Sequence, residues 1–464
     1  MFKYLLSLTL ICCLLTVAAQ KDIAQKLDGQ VSEWMEEAGI PGLSLAVLEG
    51  GKIHYQKAFG IKDANTKAKV DDETIFEAAS LTKPVFAYAV CQLVSQGKFD
   101  LDRPLENYWS YADPEPVDLR KGITARMVLT HSSGLPNWRR PRQSENVKIN
   151  FTPGDRFSYS GEGFVYLARV VAELTGQPTH EWIHEMVFQP LGMTRSTMIW
   201  NEDLGANSAL PHDKVGAVKG KYQPQQANAA ASLHTTAGDY ARFLLALIKG
   251  ERLSPAVHKM MLSTQRNVDP KCSQCRTENS DPDFKEVSWG LGIGLEHTKQ
   301  DYIWHWGDNG NFKSYVCVSL TTGSGLVYFA NSNAGLSLRN QLVNAVLPGD
   351  HPAHQWVKYR QLKESGSKAS TSLAQLKAAG TTDEVEIYKA GSNLLKAKET
   401  EEALKIFHYN AQLHPNSWRT WDVLGYAYST IPDQEKAIKY LEKALELHPD
   451  NKKGRALLEK MKKK

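Results

Sequence analysis

Strand signals at both ends of the first 350 residues, with a long helical stretch between them, constrain the fold of this chain most strongly. The apolar run 43–48 and the mixed stretch 52–59, separated by Gly50-Gly51, read as a β-hairpin. Residues 289–296, 302–305, 315–320 and 325–330 read as further strands that return to the first sheet. Ahead of the hairpin, Ile23, Leu27, Val31, Trp34 and Met35 recur at helical spacing, and Gly39 closes that helix. From about residue 75 to 249 the pattern is helical and loop-rich. The expected architecture is an α/β arrangement, a sheet built from both ends of the domain with an all-helical lobe inserted between them.

The balance of 55 basic against 51 acidic residues excludes the basic footprint of a nucleic-acid-binding protein. The one long apolar run lies at the N-terminus, which excludes a polytopic membrane protein. There, Lys3 precedes the apolar stretch 5–17, followed by Val17-Ala18-Ala19 and the polar Gln20-Lys21. Charge, apolar core and small residues in that order read as a secretory signal peptide over residues 1–19, cleaved after Ala19; a retained signal anchor is the alternative. Ile11 is a poor residue to precede a lipidated Cys12, so lipoprotein processing is discounted. The expectation is an exported protein, periplasmic or secreted, with no membrane span after cleavage.

Four cysteines remain. Cys91 and Cys317 sit in apolar runs and read as buried thiols. Cys272-Ser273-Gln274-Cys275 lies in a polar stretch, where a local disulfide is the expected state outside the cytoplasm. A zinc site would need two further ligands, and a redox centre would need a βαβ context. No metal-ligand cluster, phosphate loop or nucleotide fingerprint stands out, so no cofactor and no metal are expected.

Residues 360–382 are rich in Ser, Ala and Lys and read as a linker. Beyond it, Trp421, Leu424, Gly425, Tyr428, Ala437, Leu441, Ala444 and Pro449 fit a tetratricopeptide pattern. One period of about 34 residues earlier stand Ile387, Ala390, Gly391, Leu394, Ala403, Phe407, Asn410 and Pro415, six of them of compatible type. Residues 384–464 are therefore expected to form two helical repeats and a capping helix, which pack on the main domain or on a protein partner; a generic helical hairpin is the plainer alternative.

The chemistry-bearing motif is Ser80-Leu81-Thr82-Lys83. A serine and a lysine three apart share one face of a helix. Ser95–Lys98 and Ser365–Lys368 repeat the spacing, so context decides. Pro84 fits only the first turn of a helix, and the apolar run 85–91 makes that helix a buried one. A serine at such an N-terminus has backbone N–H groups and the positive end of the helix dipole beside it. A desolvated lysine loses basicity and can accept the serine proton. Ser80 is then either a nucleophile activated by Lys83 or a plain helix cap.

The stretch from about residue 22 to 350 resembles the serine β-lactamase and penicillin-binding-protein family, closest to the class C branch with its esterases and D-amino-acid peptidases. The resemblance rests on Ser80-x-x-Lys83, on 40–47 as the first strand, on Met127-Val128-Leu129-Thr130-His131-Ser132-Ser133-Gly134-Leu135-Pro136, and on 231–239. It implies an antiparallel sheet with flanking helices, an all-helical lobe, and an active site at their junction. It further implies that Tyr159, in Tyr159-Ser160-Gly161, shuttles the proton to the leaving group, unless it is a core tyrosine. The family's Tyr-x-Asn becomes Tyr-Ser-Gly here, so Gly161 offers no side-chain amide for a substrate's acyl-amide group. The family's Lys-Thr-Gly strand reads His305-Trp306-Gly307, followed by Asp308. The resemblance places His305 beside the nucleophile and the second oxyanion N–H near Asp308, while Gly307 admits close backbone approach. A mostly neutral histidine grips a carboxylate less firmly than lysine. His305 is alternatively a satisfied strand histidine. Trp138 and Trp306 are either aromatic walls of the pocket or core.

The expected function is an exported serine hydrolase acting through an acyl-enzyme on an ester or amide bond of a small-molecule or peptide substrate. The alternatives are a β-lactamase or penicillin-binding D,D-peptidase, and a degenerate hydrolase scaffold whose repeats bind a protein.

Overall fold

A computed structural model of the 464-residue chain describes residues 23–139, 146–213, 216–268, 284–357, 373–378, 380–396, 399–431 and 433–462. The signal segment 1–19 and the pair Cys272 and Cys275 lie outside the described residues. The chain divides into two compact units, Met1–Trp356 and Val357–Lys464.

In the first unit the two ends of the domain build one antiparallel sheet. Its eight strands run in the order Lys52–Gly60, Gly42–Glu49, Gly325–Ala330, Lys313–Ser319, Asp301–Asp308, Gly294–His297, Val287–Trp289 and Arg266–Asn267. Hydrophobic patterning dictates the pairing: Leu43, Leu45 and Val47 face Ala330, Tyr328 and Leu326 in register, all fully buried. A helix over 23–38 precedes the sheet and buries Leu27, Val31 and Met35, one stripe at helical spacing. It stops at Gly39, whose φ of +65° glycine adopts without strain. Helix Ala237–Lys249 packs against three of the strands, Gly42–Glu49, Lys52–Gly60 and Gly325–Ala330. Its start is capped by the Thr236 side chain accepting from the Asp239 N–H.

One strand expectation is corrected. Residues 289–296 are not one strand but the ends of two, Val287–Trp289 and Gly294–His297. The turn between them passes hard against helix Thr82–Ser95. A Cβ on Gly292, which has φ +78°, would lie 2.1 Å from the Ala87 Cβ. The apolar residues Leu291 and Ile293 continue the buried pattern through the turn and mask it in the sequence.

The lobe between the strands carries helices Thr82–Ser95, Ala125–Leu129 and Glu162–Thr175, and its core is continuous with the sheet's. From Thr82 to Leu93 every residue of the first of these helices is buried, as its all-round apolar composition requires.

Among its described residues the second unit is all-helical, as expected. Helices Glu384–Lys396 and Thr400–Leu413 pair, as do Trp418–Ser429 and Gln434–Leu447, and Lys452–Lys462 follows. Equivalent glycines let each pair close: a Cβ on Gly391 would lie 2.4 Å from the Phe407 ring, and one on Gly425 2.5 Å from the Leu441 Cγ. A short helix, Leu373–Ala378, lies within the stretch 360–382 read as linker.

Candidate active site

The chain reaches Ser80 through a bridge between two short strands, Phe76–Glu77 and His234–Thr235. Ala79 then takes φ +51°, a conformation costing a non-glycine residue on the order of 1–2 kcal/mol. A 3₁₀ turn, Ala79–Leu81, leads into helix Thr82–Ser95. The Thr82 hydroxyl closes the turn, donating to the Ala79 carbonyl at 2.6 Å and accepting from the Leu233 N–H at 3.0 Å. The N-cap position of the helix is Leu81, with no side-chain cap hydrogen bond. Ser80 is therefore not the cap that one reading of the sequence allowed.

Lys83 is fully buried. Its Nζ donates to the Ser80 Oγ at 3.0 Å and to the Ala230 carbonyl at 2.8 Å, and lies 4.7 Å from the centre of the Tyr159 ring. Ser80, Lys83 and Tyr159 are thus brought together from two segments far apart in the sequence. Tyr159, 3% exposed, is wedged between the Trp306 ring at 4.7 Å and the His131 ring at 4.2 Å.

His131 was legible in the sequence only as part of a family landmark. Here it clasps the chain on both sides of Tyr159: its carbonyl accepts the Ser158 N–H at 2.6 Å and its Nδ1 the Ser160 N–H at 3.0 Å. An accepting Nδ1 requires an imidazole unprotonated at that nitrogen. His131 has φ +55°, a second strained residue beside the site.

Gly161 has no room for a side chain. A Cβ there would lie 2.7 Å from the Asn137 carbonyl and 3.1 Å from the Trp138 ring. The half-buried Trp138 indole occupies the space beside Tyr159-Ser160-Gly161 where the family's Asn would project. Trp138 is fixed in turn because its neighbour Arg139 grips the buried Glu162 with backbone and guanidinium and reaches Asp113 at 2.8 Å.

Strand Asp301–Asp308 runs past the nucleophile turn. A Cβ on Gly307 would lie 2.3 Å from the Ala78 carbonyl and 2.1 Å from the Ser314 Oγ, so only glycine permits this approach. The Ser314 hydroxyl donates to the Ala78 carbonyl at 3.0 Å and ties the next strand to the same turn. His305 is fully buried; its Nδ1–H donates to the Trp306 carbonyl at 2.8 Å, and its ring centre is 6.1 Å from that of Tyr159. Trp306 packs with Trp304 and Trp356 and contributes more to the core than to an open wall. Asp308 is exposed at the strand end and ion-paired with the buried Lys313.

Behind Ser80 lies a set of titratable groups that the sequence did not announce. Burial pushes the Glu77 carboxyl up to about 7, against the opposing pull of the Asn309 amide, the Tyr222 N–H and Lys221. Burial likewise brings the Lys221 ammonium down to about 8, and the His234 imidazole down to about 4.

Elsewhere, among the described residues, the fold gathers Glu296, Cys317 and His351, three potential metal ligands within 4.8 Å of one another. No spacing in the sequence pointed to them. His351 Nδ1 lies 2.5 Å from Glu296 Oε1, and its Nε2 2.8 Å from the Leu347 carbonyl, so the group forms a buried imidazole–carboxylate pair.

A serine hydrogen-bonded to a buried lysine, an adjacent tyrosine and a glycine-bearing strand beside them define the site of a serine hydrolase family. The chain belongs to the Beta-lactamase family, whose match spans residues 27–347. Protein flp of Staphylococcus aureus is 22% identical over 68% of this chain and 64% of its own length. Esterase EstB of Burkholderia gladioli is 29% identical over 37% of this chain and 50% of its own. The chain thus spans less than two thirds of these relatives. A class C beta-lactamase shares the fold with a TM-score of 0.59 at 19% identity, covering 72% of this chain and 98% of that one. The octameric penicillin-binding protein homologue from Pyrococcus abyssi does so with a TM-score of 0.56 at 23% identity, covering 73% and 81%.

Proposed function

We propose that this chain is an exported serine hydrolase that cleaves esters of small, uncharged acyl groups through an acyl-enzyme on Ser80. The observation that carries the reading is the buried Lys83 Nζ 3.0 Å from the Ser80 Oγ. Burial favours a neutral amine. A neutral Lys83 keeps its N–H on the Ala230 carbonyl and turns its lone pair to the serine hydroxyl. As the Ser80 Oγ bonds to the substrate carbonyl carbon, its proton passes to Lys83. The carbonyl oxygen takes up the electron pair and is held by the backbone N–H groups of Ser80 and Asp308. The alcohol leaves with a proton relayed through Tyr159. Water then adds to the acyl-enzyme, giving its proton back along the same path, and the acid departs as Ser80 is regenerated.

Ester rather than β-lactam substrates follow from two departures. At Gly161 the indole of Trp138 and the Asn137 carbonyl stand where an amide would receive an acyl-amide group. At His305 a buried imidazole committed to the Trp306 carbonyl replaces the ammonium that would bind a carboxylate. Similarity to an esterase of Burkholderia gladioli supports the same preference. The C-terminal helices, with their repeat-spaced glycines, serve as a tetratricopeptide-type surface for a protein partner.

The test is hydrolysis of p-nitrophenyl butyrate by the mature chain, with intact-mass detection of the trapped acyl group. Ser80→Ala is expected to lower kcat roughly a thousandfold or more and to abolish the adduct. Turnover of penicillin, or a lasting penicillin adduct on Ser80, would overturn the ester preference. An inactive wild type would leave the scaffold reading.

A further inference from the structure

We propose that Glu77 and Asn309 form a positioning pair that holds the nucleophile turn, the carbonyl anchor of Lys83 and the end of strand Asp301–Asp308 in register; the inference rests on the hydrolase reading above. The Asn309 Nδ2 donates to Glu77 Oε2 at 3.1 Å and to the Ala231 carbonyl at 3.4 Å. Each partner leads directly to a working part of the site. Glu77 lies three residues before Ser80, paired in register with His234. Ala231 follows Ala230, whose carbonyl receives the Lys83 Nζ at 2.8 Å. Asn309 follows Asp308, the proposed second oxyanion donor, and its own N–H is fixed on the Phe312 carbonyl at 3.1 Å. One side-chain amide therefore spans all three.

The fold by itself gives no reason for a carboxyl at position 77. Glu77 is 3% exposed on a two-residue strand, where an apolar residue would avoid the cost of burying an acid. Lys221 stands nearby, but its Nζ is engaged by the Ser208 hydroxyl and lies 4.5 Å over the Trp200 ring. Among the described residues, the Asn309 amide and, at 3.4 Å, the Tyr222 N–H donate to the Glu77 carboxyl. Acyl transfer needs nucleophile, base and oxyanion donors held to a fraction of an ångström, and a displacement near 1 Å costs on the order of a hundredfold in rate. Glu77 and Asn309 touch no reacting atom in this scheme; they act through the groups they hold.

The experiment measures the acylation burst and steady-state hydrolysis of p-nitrophenyl butyrate, fluorophosphonate labelling of Ser80, and thermal melting, all on the full chain. Glu77→Ala and Asn309→Ala are each expected to lower the acylation rate roughly tenfold to a hundredfold, with KM within about twofold. The double variant should be no slower than the worse single, because each change breaks the same link. Asn309→Asp sets two carboxyls face to face and should be slower still. Glu77→Gln combined with Asn309→Asp restores the bond between positions 77 and 309 with reversed polarity but leaves the Ala231 carbonyl without its donor, so it should recover the rate only in part, above Asn309→Asp and below the wild type. If Glu77→Ala does not fold, the comparison of Asn309→Asp with the reversed pair decides. Single variants at the wild-type rate, additive losses, or no recovery in the reversed pair would overturn the positioning role. A wild type that is neither labelled nor active would overturn the hydrolase reading and this inference with it.

Discussion

Ser80 and Lys83 announce themselves through spacing and through Pro84 and the apolar run behind them, because both lie on one helical turn. Tyr159 could be assigned only by resemblance, since nothing local marks it. His131, which clasps its loop, and Glu77, Asn309 and His234 act across long sequence separations and have no local signature. His234 supports a prediction at this scale. Burial lowers its pKa from the ordinary 6.5 to about 4, so the unfolded chain takes up a proton first as pH falls. Its contribution to stability is complete above about pH 6.5 and is lost between there and about pH 4, amounting to roughly 3 kcal/mol at most. His234→Gln, which does not titrate, should show a shallower acid loss. Urea unfolding at about pH 7.5 and about pH 4.5 measures the difference.

Strands and turns show where local patterning stops being informative. The strands Gly42–Glu49 and Gly325–Ala330 follow their continuous apolar runs closely, and the hairpin to Lys52–Gly60 follows its turn glycines. The run 289–296 looked like one strand because both faces of the turn at 290–293 are buried, which hides a reversal inside an apolar pattern. Strand Asp301–Asp308 extends three residues beyond the predicted His305, carrying Gly307 past the nucleophile turn. Gly307→Ala would push that strand away from Ala78 and Ser314. The expected outcome is a fall in kcat of roughly a hundredfold with a much smaller change in KM, read from steady-state ester hydrolysis.

At the scale of the whole molecule, each unit has its own apolar core, one centred on the sheet and helix Thr82–Ser95, the other on residues such as Ile387, Phe407, Leu424 and Leu441. Calorimetry of the full chain should therefore resolve two transitions. A chain ending at residue 356 should hydrolyse a small ester within about twofold of the full-length rate, as its reacting groups all precede that point.

The hairpin, the buried helix with Ser80 and Lys83 on one turn, and the 34-residue repeat spacing were determined by the sequence alone, because each depends on neighbours within a turn, a hairpin or one repeat. The tertiary structure alone decided that Ala230 anchors Lys83, that Trp138 fills the space beside Gly161, and that Asn309 bridges Glu77 to Ala231. It also decided that Glu296 and His351 form a buried pair. Those contacts join residues dozens to hundreds of positions apart, and their geometry exists only once the sheet has closed and water has been excluded from between them.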